Sequence, residues 1–259
     1  SGTGSLTVTG TSVTTLTGVN TATGATNVTG GTLNITGAGS VASTAVNVSS
    51  GTLTTDSDAL GAGTTVAVSG TGTFTSSGTD SFAALTQSGG TIDGSGVLTL
   101  SGAFTQSGGT TGGTVDINSA TFTQSGGAVI AAGTTVTSTG AQSLQGGTIA
   151  GNLDGAGAIT AASGTTDITG TVTNASGLTV SGGTVNVTGA GTVDTSGNLI
   201  TISSGTLATD TDALANNETV SIYGGSYNVS GTDTIAALTQ SGGVVDGAGT
   251  LTTTGAFTQ

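Results

Sequence analysis

A parallel β-solenoid, a chain wound into stacked coils of short strands, is the fold this sequence predicts, and three observations predict it. The first is a recurring phrase. Leu85-Thr86-Gln87-Ser88-Gly89-Gly90 returns as Phe104-Thr105-Gln106-Ser107-Gly108-Gly109, as Phe122-Thr123-Gln124-Ser125-Gly126-Gly127, and later as Leu238-Thr239-Gln240-Ser241-Gly242-Gly243. A strand closed by a Gly corner and repeated after about 19 residues marks coils that stack on one another. The second is an alternation of apolar and hydroxyl residues on both sides of that corner. The third is composition: 50 Gly and abundant Thr and Ser, with no Pro, Cys, Met, Trp, Lys, Arg or His.

So much Gly and Ser would also suit a flexible linker. Apolar residues nevertheless make up 33% of the 259 positions, and Val, Leu, Ile and Ala alternate with Thr. That is the pattern of a half-buried strand, and it predicts order.

The corner glycines run Gly10, Gly31, Gly51, Gly70, Gly90, Gly109, Gly127, Gly147, Gly164, Gly183, Gly205, Gly225 and Gly243. Most follow Gly or Ser, as a corner with positive φ prefers. Before the corner stand inward pairs such as Val46 and Val48, Leu178 and Val180, or Ile200 and Ile202. After it stand Leu33 and Ile35, Val185 and Val187, or Tyr227 and Val229. Period two on both sides puts these side chains inside and the Thr, Ser and Asn between them outside. Each coil is then two or three strands of about four to five residues. Coils spaced by about 4.8 Å give a parallel β-helix of about 13 coils and roughly 60 Å. Val66 and Val68 sit one residue out of step with Gly70, which predicts short insertions at corners, where loops are tolerated.

Gln87, Gln106 and Gln124 replace the usual Val or Ile three residues before the corner. Two readings stand. Pointing inward, their amides would stack into a ladder along the axis; at the mouth of the turn, they would bond local backbone. Leu85, Phe104 and Phe122, two residues earlier, belong to the core.

A longer repeat lies above the coil. Gly51-Thr52-Leu53-Thr54-Thr55-Asp56-Ser57-Asp58-Ala59-Leu60 returns as Gly205-Thr206-Leu207-Ala208-Thr209-Asp210-Thr211-Asp212-Ala213-Leu214. Neighbouring segments return at nearly the same offset, about 153 residues or eight coils. Residues 1–259 are read as one continuous solenoid segment of about 1.7 such units, from a longer repeat protein or one whose copies stack end to end. The chain opens at Ser1 without a charged-then-apolar leader and is read as a mature or excised segment.

The 13 acidic residues face no basic side chain, for a formal charge of −13. Such a surface repels nucleic acid and anionic membrane faces, and attracts divalent cations. No run approaches the roughly 18 apolar residues of a membrane span.

Runs such as Gly31-Thr32-Leu33-Asn34-Ile35-Thr36-Gly37-Ala38-Gly39 and Ser95-Gly96-Val97-Leu98-Thr99-Leu100-Ser101-Gly102-Ala103 resemble the β-helical passengers of autotransporters and the filamentous-haemagglutinin-like adhesins and fibre proteins of bacterial surfaces. The resemblance implies a right-handed parallel β-helix and an extracellular or cell-surface setting. The complete loss of Lys and Arg departs from that group.

Catalysis by acid–base or nucleophilic steps usually needs His, Cys, Lys or a carboxylate pair, and only carboxylates exist here. Asp56 with Asp58 and Asp210 with Asp212 could supply two acids each. A catalytic site duplicated at every eighth coil is implausible, so the expectation is a non-enzyme. The same four residues, with Asp80 and Asp233 one to two coils further on, are the candidate Ca²⁺ ligands, since carboxylates beside backbone carbonyls are what Ca²⁺ takes. No other cofactor is expected. The alternative is that they cap turns through local backbone bonds, and the missing Gly-Gly-x-Gly-x-Asp nonapeptide favours it.

Thr-x-Thr strands such as Thr52-Leu53-Thr54 and Thr171-Val172-Thr173 resemble ice-binding faces. Their differing distances from the corner argue against one aligned file. Asn-x-Ser/Thr sequences at Asn27, Asn34, Asn47, Asn174, Asn186, Asn217 and Asn228 are formal glycan acceptors that such a composition also produces by chance.

The expected role is a structural repeat of an extracellular filament, surface layer or long adhesin, self-associating and protease-resistant. The alternative is a binding module, with a carbohydrate or host-surface ligand or an ice face. An ordered Thr file would favour ice; a groove lined by Tyr223, Tyr227 and Asp would favour sugar.

Overall fold

The computed structural model describes residues 2–259 and contains only β-strands, turns and bends among them. The chain divides into two compact units: Ser1–Ala120 with Gly133–Thr137, and Thr121–Ala132 with Ser138–Gln259. Each is a parallel β-solenoid of about 19 residues per coil, as the sequence predicts.

In the first unit three files of strands run around each coil. The first file holds Leu6–Val8, Thr26–Val28, Ala45–Val48, Thr65–Val68 and the leading parts of Ala84–Gly94 and Ala103–Thr111. The second holds Val13–Leu16, Thr32–Ile35, Thr52–Thr55, Thr73–Ser76 and the trailing parts of the same two long strands. The third includes Thr79–Phe82, Val97–Leu100 and Asp116–Ser119. Every one of these pairings is parallel.

Side chains repeat along the files because the register does. Leu33, Leu53, Phe74 and Ile92 are successive partners, and all are 0% exposed. Burial alternates along most strands, for example outward Thr32 and Asn34 against buried Leu33 and Ile35. Apolar and β-branched residues at every second position are therefore what closes the coil, by keeping one face dry.

The predicted insertion lies at the corner after Thr65–Val68. Val46 pairs Val66 twenty residues on, whereas Thr52 pairs Thr73 twenty-one on, so Ser69–Gly72 holds one residue more than the corner below it. A second slip separates Gln87, opposite Gln106, from Ser88, opposite Gly108. The strands stay in step because the extra residues are confined to corners.

The glycines serve two purposes, of which the sequence reading saw one. Gly90 has φ +66°, and a Cβ there would also lie 2.1 Å from the carbonyl oxygen of Gly72 in the previous coil. Gly51 has no positive φ; there the obstacle is purely the neighbouring coil, 2.8 Å from Gly31 O. Close stacking of backbone on backbone is the more general requirement.

The second unit repeats the plan. Its first file contains Thr121–Ser125, Gln142–Gln145, Ile159–Ala161, Leu178–Val180, Leu199–Ile202, Thr219–Ile222, Ala237–Gln240 and Phe257–Thr258. Its second runs from Val129–Ile130 through Gly147–Ile149, Thr165–Ile168, Thr184–Val187, Thr206–Thr209 and Ser226–Val229 to Val244–Asp246. Its third includes Asn152–Asp154, Thr171–Thr173 and Thr192–Val193, with Thr232–Ile235 pairing Thr250–Thr253.

Candidate functional site

Three features could carry function: the amide ladder, the acidic corners that recur in both units, and the outward hydroxyl files.

Gln87 and Gln106 point inward, are 0% exposed and face each other in register. Gln106 Nε2 donates to Gln87 Oε1 at 2.9 Å and to Thr111 Oγ1 at 3.2 Å, while the Thr111 hydroxyl donates to Gln87 Oε1 at 2.8 Å. Gln87 Nε2 also donates to the carbonyls of Gly90 and Thr110. Both sequence readings thus hold at once at Gln87, whose amide spans from the ladder to the mouth of the turn. In the second unit Gln124, equally buried, donates to the carbonyls of Ala128 and Thr148. Leu85 and Phe104 stack in register beside the ladder, and Phe122 is buried in its own unit. Gln87→Leu keeps the volume but takes an acceptor from Gln106 and Thr111 and a donor from two carbonyls. The expected loss is about 2–3 kcal/mol, because buried polar groups left short of partners cost more than the bond itself. A denaturant titration that finds less than about 0.5 kcal/mol contradicts it.

The acidic corners are built alike in the two units. Asp56 Oδ2 accepts the N–H of Gly37 at 2.5 Å, and Asp210 Oδ2 that of Gly189 at 2.6 Å. These donors belong to the preceding coil, so the carboxylates cap a neighbour's turn instead of their own. Asp58 and Asp212 adopt φ of 57° and 53°, a region Asp tolerates, and their N–H groups donate to Thr79 O and Thr232 O.

Asp80 and Asp233 turn inward and are 0% exposed. Asp80 Oδ1 accepts the N–H groups of Ala59 at 2.8 Å and Leu60 at 3.2 Å; Asp233 Oδ1 accepts those of Ala213 and Leu214 at 2.9 and 3.2 Å. Each buried carboxylate thereby fixes the loop of the coil before it. Sealed inside, neither can reach a substrate. Burial raises the Asp80 carboxyl above the usual range, against the opposing pull of its hydrogen bonds. Among the described residues no three His, Cys, Asp or Glu side chains gather as a metal ion requires.

One difference between the copies is informative. Asp80 Oδ2 is buried without a hydrogen bond, whereas Asp233 Oδ2 accepts the Tyr227 hydroxyl at 3.4 Å. Tyr227 stands where the first unit has Phe74, and both rings are fully buried. Burial, with the Asp233 charge beside it, raises the Tyr227 phenol well above its ordinary value. Phe74→Tyr should give Asp80 the same donor, lower its carboxyl pKa and stabilise the neutral-pH fold by about 1 kcal/mol. Carboxyl titration by NMR together with thermal melts checks this, and an unchanged Asp80 titration refutes it.

Glu218 was not singled out in the sequence. It is buried, accepts the Thr195 N–H at 2.8 Å through Oε1 and takes the Thr195 hydroxyl on Oε2. Burial raises its pKa as well. The first unit has Thr64 here, whose hydroxyl donates to Ser43 O at 2.7 Å. An acid replacing a Thr at the equivalent repeat position was the available signal.

As expected, the Thr-x-Thr strands do not share one file: Thr52–Thr54 lies in the second and Thr171–Thr173 in the third, although single hydroxyl positions do align. In the second unit one outward column runs in register from Thr123 through Ser143, Thr160, Thr179, Thr201, Ser221 and Thr239 to Thr258. In the first unit Thr32, Thr52, Thr73, Thr91 and Thr110 form another. In the second-unit column each member from Thr123 to Thr239 stands four residues before its corner glycine; Ser221 within it is only 6% exposed. The sugar groove fails for a different reason: Tyr227 lies in the core and Tyr223 is 58% exposed, so they do not line one surface. Of the glycan-type Asn residues, Asn47 donates to Asn27 at 2.9 Å and Asn186 to Asp167 at 2.7 Å, forming short polar ladders.

No protein-family model matches the chain, and neither a curated protein nor a solved structure matches it.

Proposed function

We propose that the chain is a structural repeat of a bacterial extracellular filament, surface layer or long surface adhesin. The observation that carries this reading is where its polar chemistry goes. Gln87, Gln106, Asp80, Asp233 and Glu218 are all turned inward and spent on holding one coil to the next. Backbone ladders, in-register side-chain columns and glycine corners without room for a Cβ make a material that resists local opening. Self-association is its partner chemistry. The absence of Lys and Arg removes every trypsin-type site and suits exposure to extracellular proteases.

Cryo-electron microscopy of the purified protein tests it. Stiff assemblies that survive a broad-specificity protease such as subtilisin are the expected result. Dispersed particles that the protease degrades readily would sink the proposal.

A second reading, an ice-binding face, has one observation in its favour, the aligned hydroxyl column of the second unit. Its test is inhibition of ice recrystallisation, lost on Thr179→Asp.

A further inference from the structure

We infer that the first strand file of the second unit is a pairing surface for a second copy of this chain, side by side. The inference rests on the self-association proposed above and names the face that serves it.

The placement of charge selects that face. Asp154 belongs to the third file and Asp194 follows its strand Thr192–Val193, Asp167 and Asp246 belong to the second, and Asp210 and Asp212 to the corner between them. Asp233 and Glu218 are buried. The outward positions of the first file carry no charge, in a chain of net charge −13 without a basic side chain. Two copies meeting through any other file would bring carboxylates together with nothing to neutralise them. Through this one they meet hydroxyl to hydroxyl.

Apolar anchors lie on the same face. Leu199 is 43% and Tyr223 58% exposed; Leu199 follows the outward alternation of Thr201, and Tyr223 projects just past the end of Thr219–Ile222, beside the 6% exposed Ser221. They flank the hydroxyl column on its two sides. Bulky side chains projecting there interrupt a flat crystalline surface, but in a protein interface Tyr is a preferred anchor. That distinction favours a second copy over ice.

Size sets the expected strength. Seven steps of about 4.8 Å by a strand width of roughly 15 Å give about 500 Å² per copy. The total, on the order of 1,000 Å², lies at the lower bound for a specific contact. Pairing is therefore weak between free chains and effective where copies are held close. Because like charge opposes the approach, added salt strengthens it. Sheets paired this way lie about 10 Å apart.

Sedimentation velocity at low and high NaCl tests the inference on three proteins. The unmodified chain should associate more in high salt. Thr179→Asp with Thr201→Asp should weaken that association at least tenfold, and so should Leu199→Ser with Tyr223→Ser, a pair that touches no core position. Thr184→Asp with Thr206→Asp on the second file is the control and should pair like the parent at high salt. Circular dichroism confirms that each variant is folded. Equal pairing by parent and first-file variants, or equal loss in the control, overturns the inference. So does an unmodified chain that shapes ice through this face without pairing. Stiff assemblies lacking side-by-side pairs would leave the structural role standing and remove this inference alone, whereas no assembly of any kind would remove both.

Discussion

Gly90→Ala is expected to cost roughly 2–4 kcal/mol, a large loss for one added methyl group. Two penalties combine. A φ of +66° is a left-handed conformation that costs an L-residue about 1–2 kcal/mol. The new Cβ would sit 2.1 Å from Gly72 O and 3.1 Å from Gly72 C and N, all backbone atoms that cannot rotate away. Relief requires moving one coil relative to the next, which would disturb the Gln87 amide that donates to Gly90 O at 3.2 Å. Gly63→Ala is the matched control. Gly63 has no positive φ and nothing within 4 Å of a Cβ, so the change should be neutral or stabilise by up to about 1 kcal/mol through the unfolded chain. Equal denaturation midpoints for the two variants would refute the stacked-backbone account.

Acidification is expected to raise the melting temperature. Most proteins lose stability in acid because carboxylates paired in the native state must be protonated and basic groups then repel. Here Asp80 and Glu218 have folded-state pKa values above their ordinary ones, because burial disfavours the charged forms. The folded state therefore binds protons more readily than the unfolded state. The stabilisation is complete below the ordinary carboxylate range and is lost as pH rises through the raised folded values. No Lys, Arg or His exists to make the acid form strongly cationic, and the self-repulsion of the ordinary carboxylates falls only as pH approaches their own range. Melts followed by circular dichroism should move upward from pH 8 to pH 5. Near the isoelectric point of about 4.1 solubility should fall, since nothing keeps copies apart. A melting temperature that drops steadily over the same interval would contradict the assignment of these two buried acids.

The sequence was most legible where the coil is most regular. Leu33, Ile35, Val46, Val48, Val185 and Val187 are 0% exposed, as period two requires. The third strand file was harder to see because pieces such as Ser40–Val41 and Thr192–Val193 are only two residues long. Asp56 and Asp210 could be recognised as backbone caps, but their donors lie 19 and 21 residues away, beyond any local motif. The second-unit hydroxyl column was within reach of the sequence, since each member from Thr123 to Thr239 stands four residues before its corner glycine. Tyr227 shows what single-site reading cannot recover. Period two placed its ring inside, but only the structure shows its hydroxyl reaching Asp233 within the same coil.

The pairing of each strand with one about twenty residues away bears on how the chain reaches this state. Leu33 meets Leu53 and Val185 meets Leu207, so hardly any contact waits for a distant part of the polypeptide. A separation of 20 in a chain of 259 is a relative contact order of about 0.08, in the range of fast-folding helical proteins. Once one turn has formed it is a template for the next, and order can spread along the chain as residues become available. Order can therefore grow turn by turn from a single nucleus, each new turn laid down on the one before it.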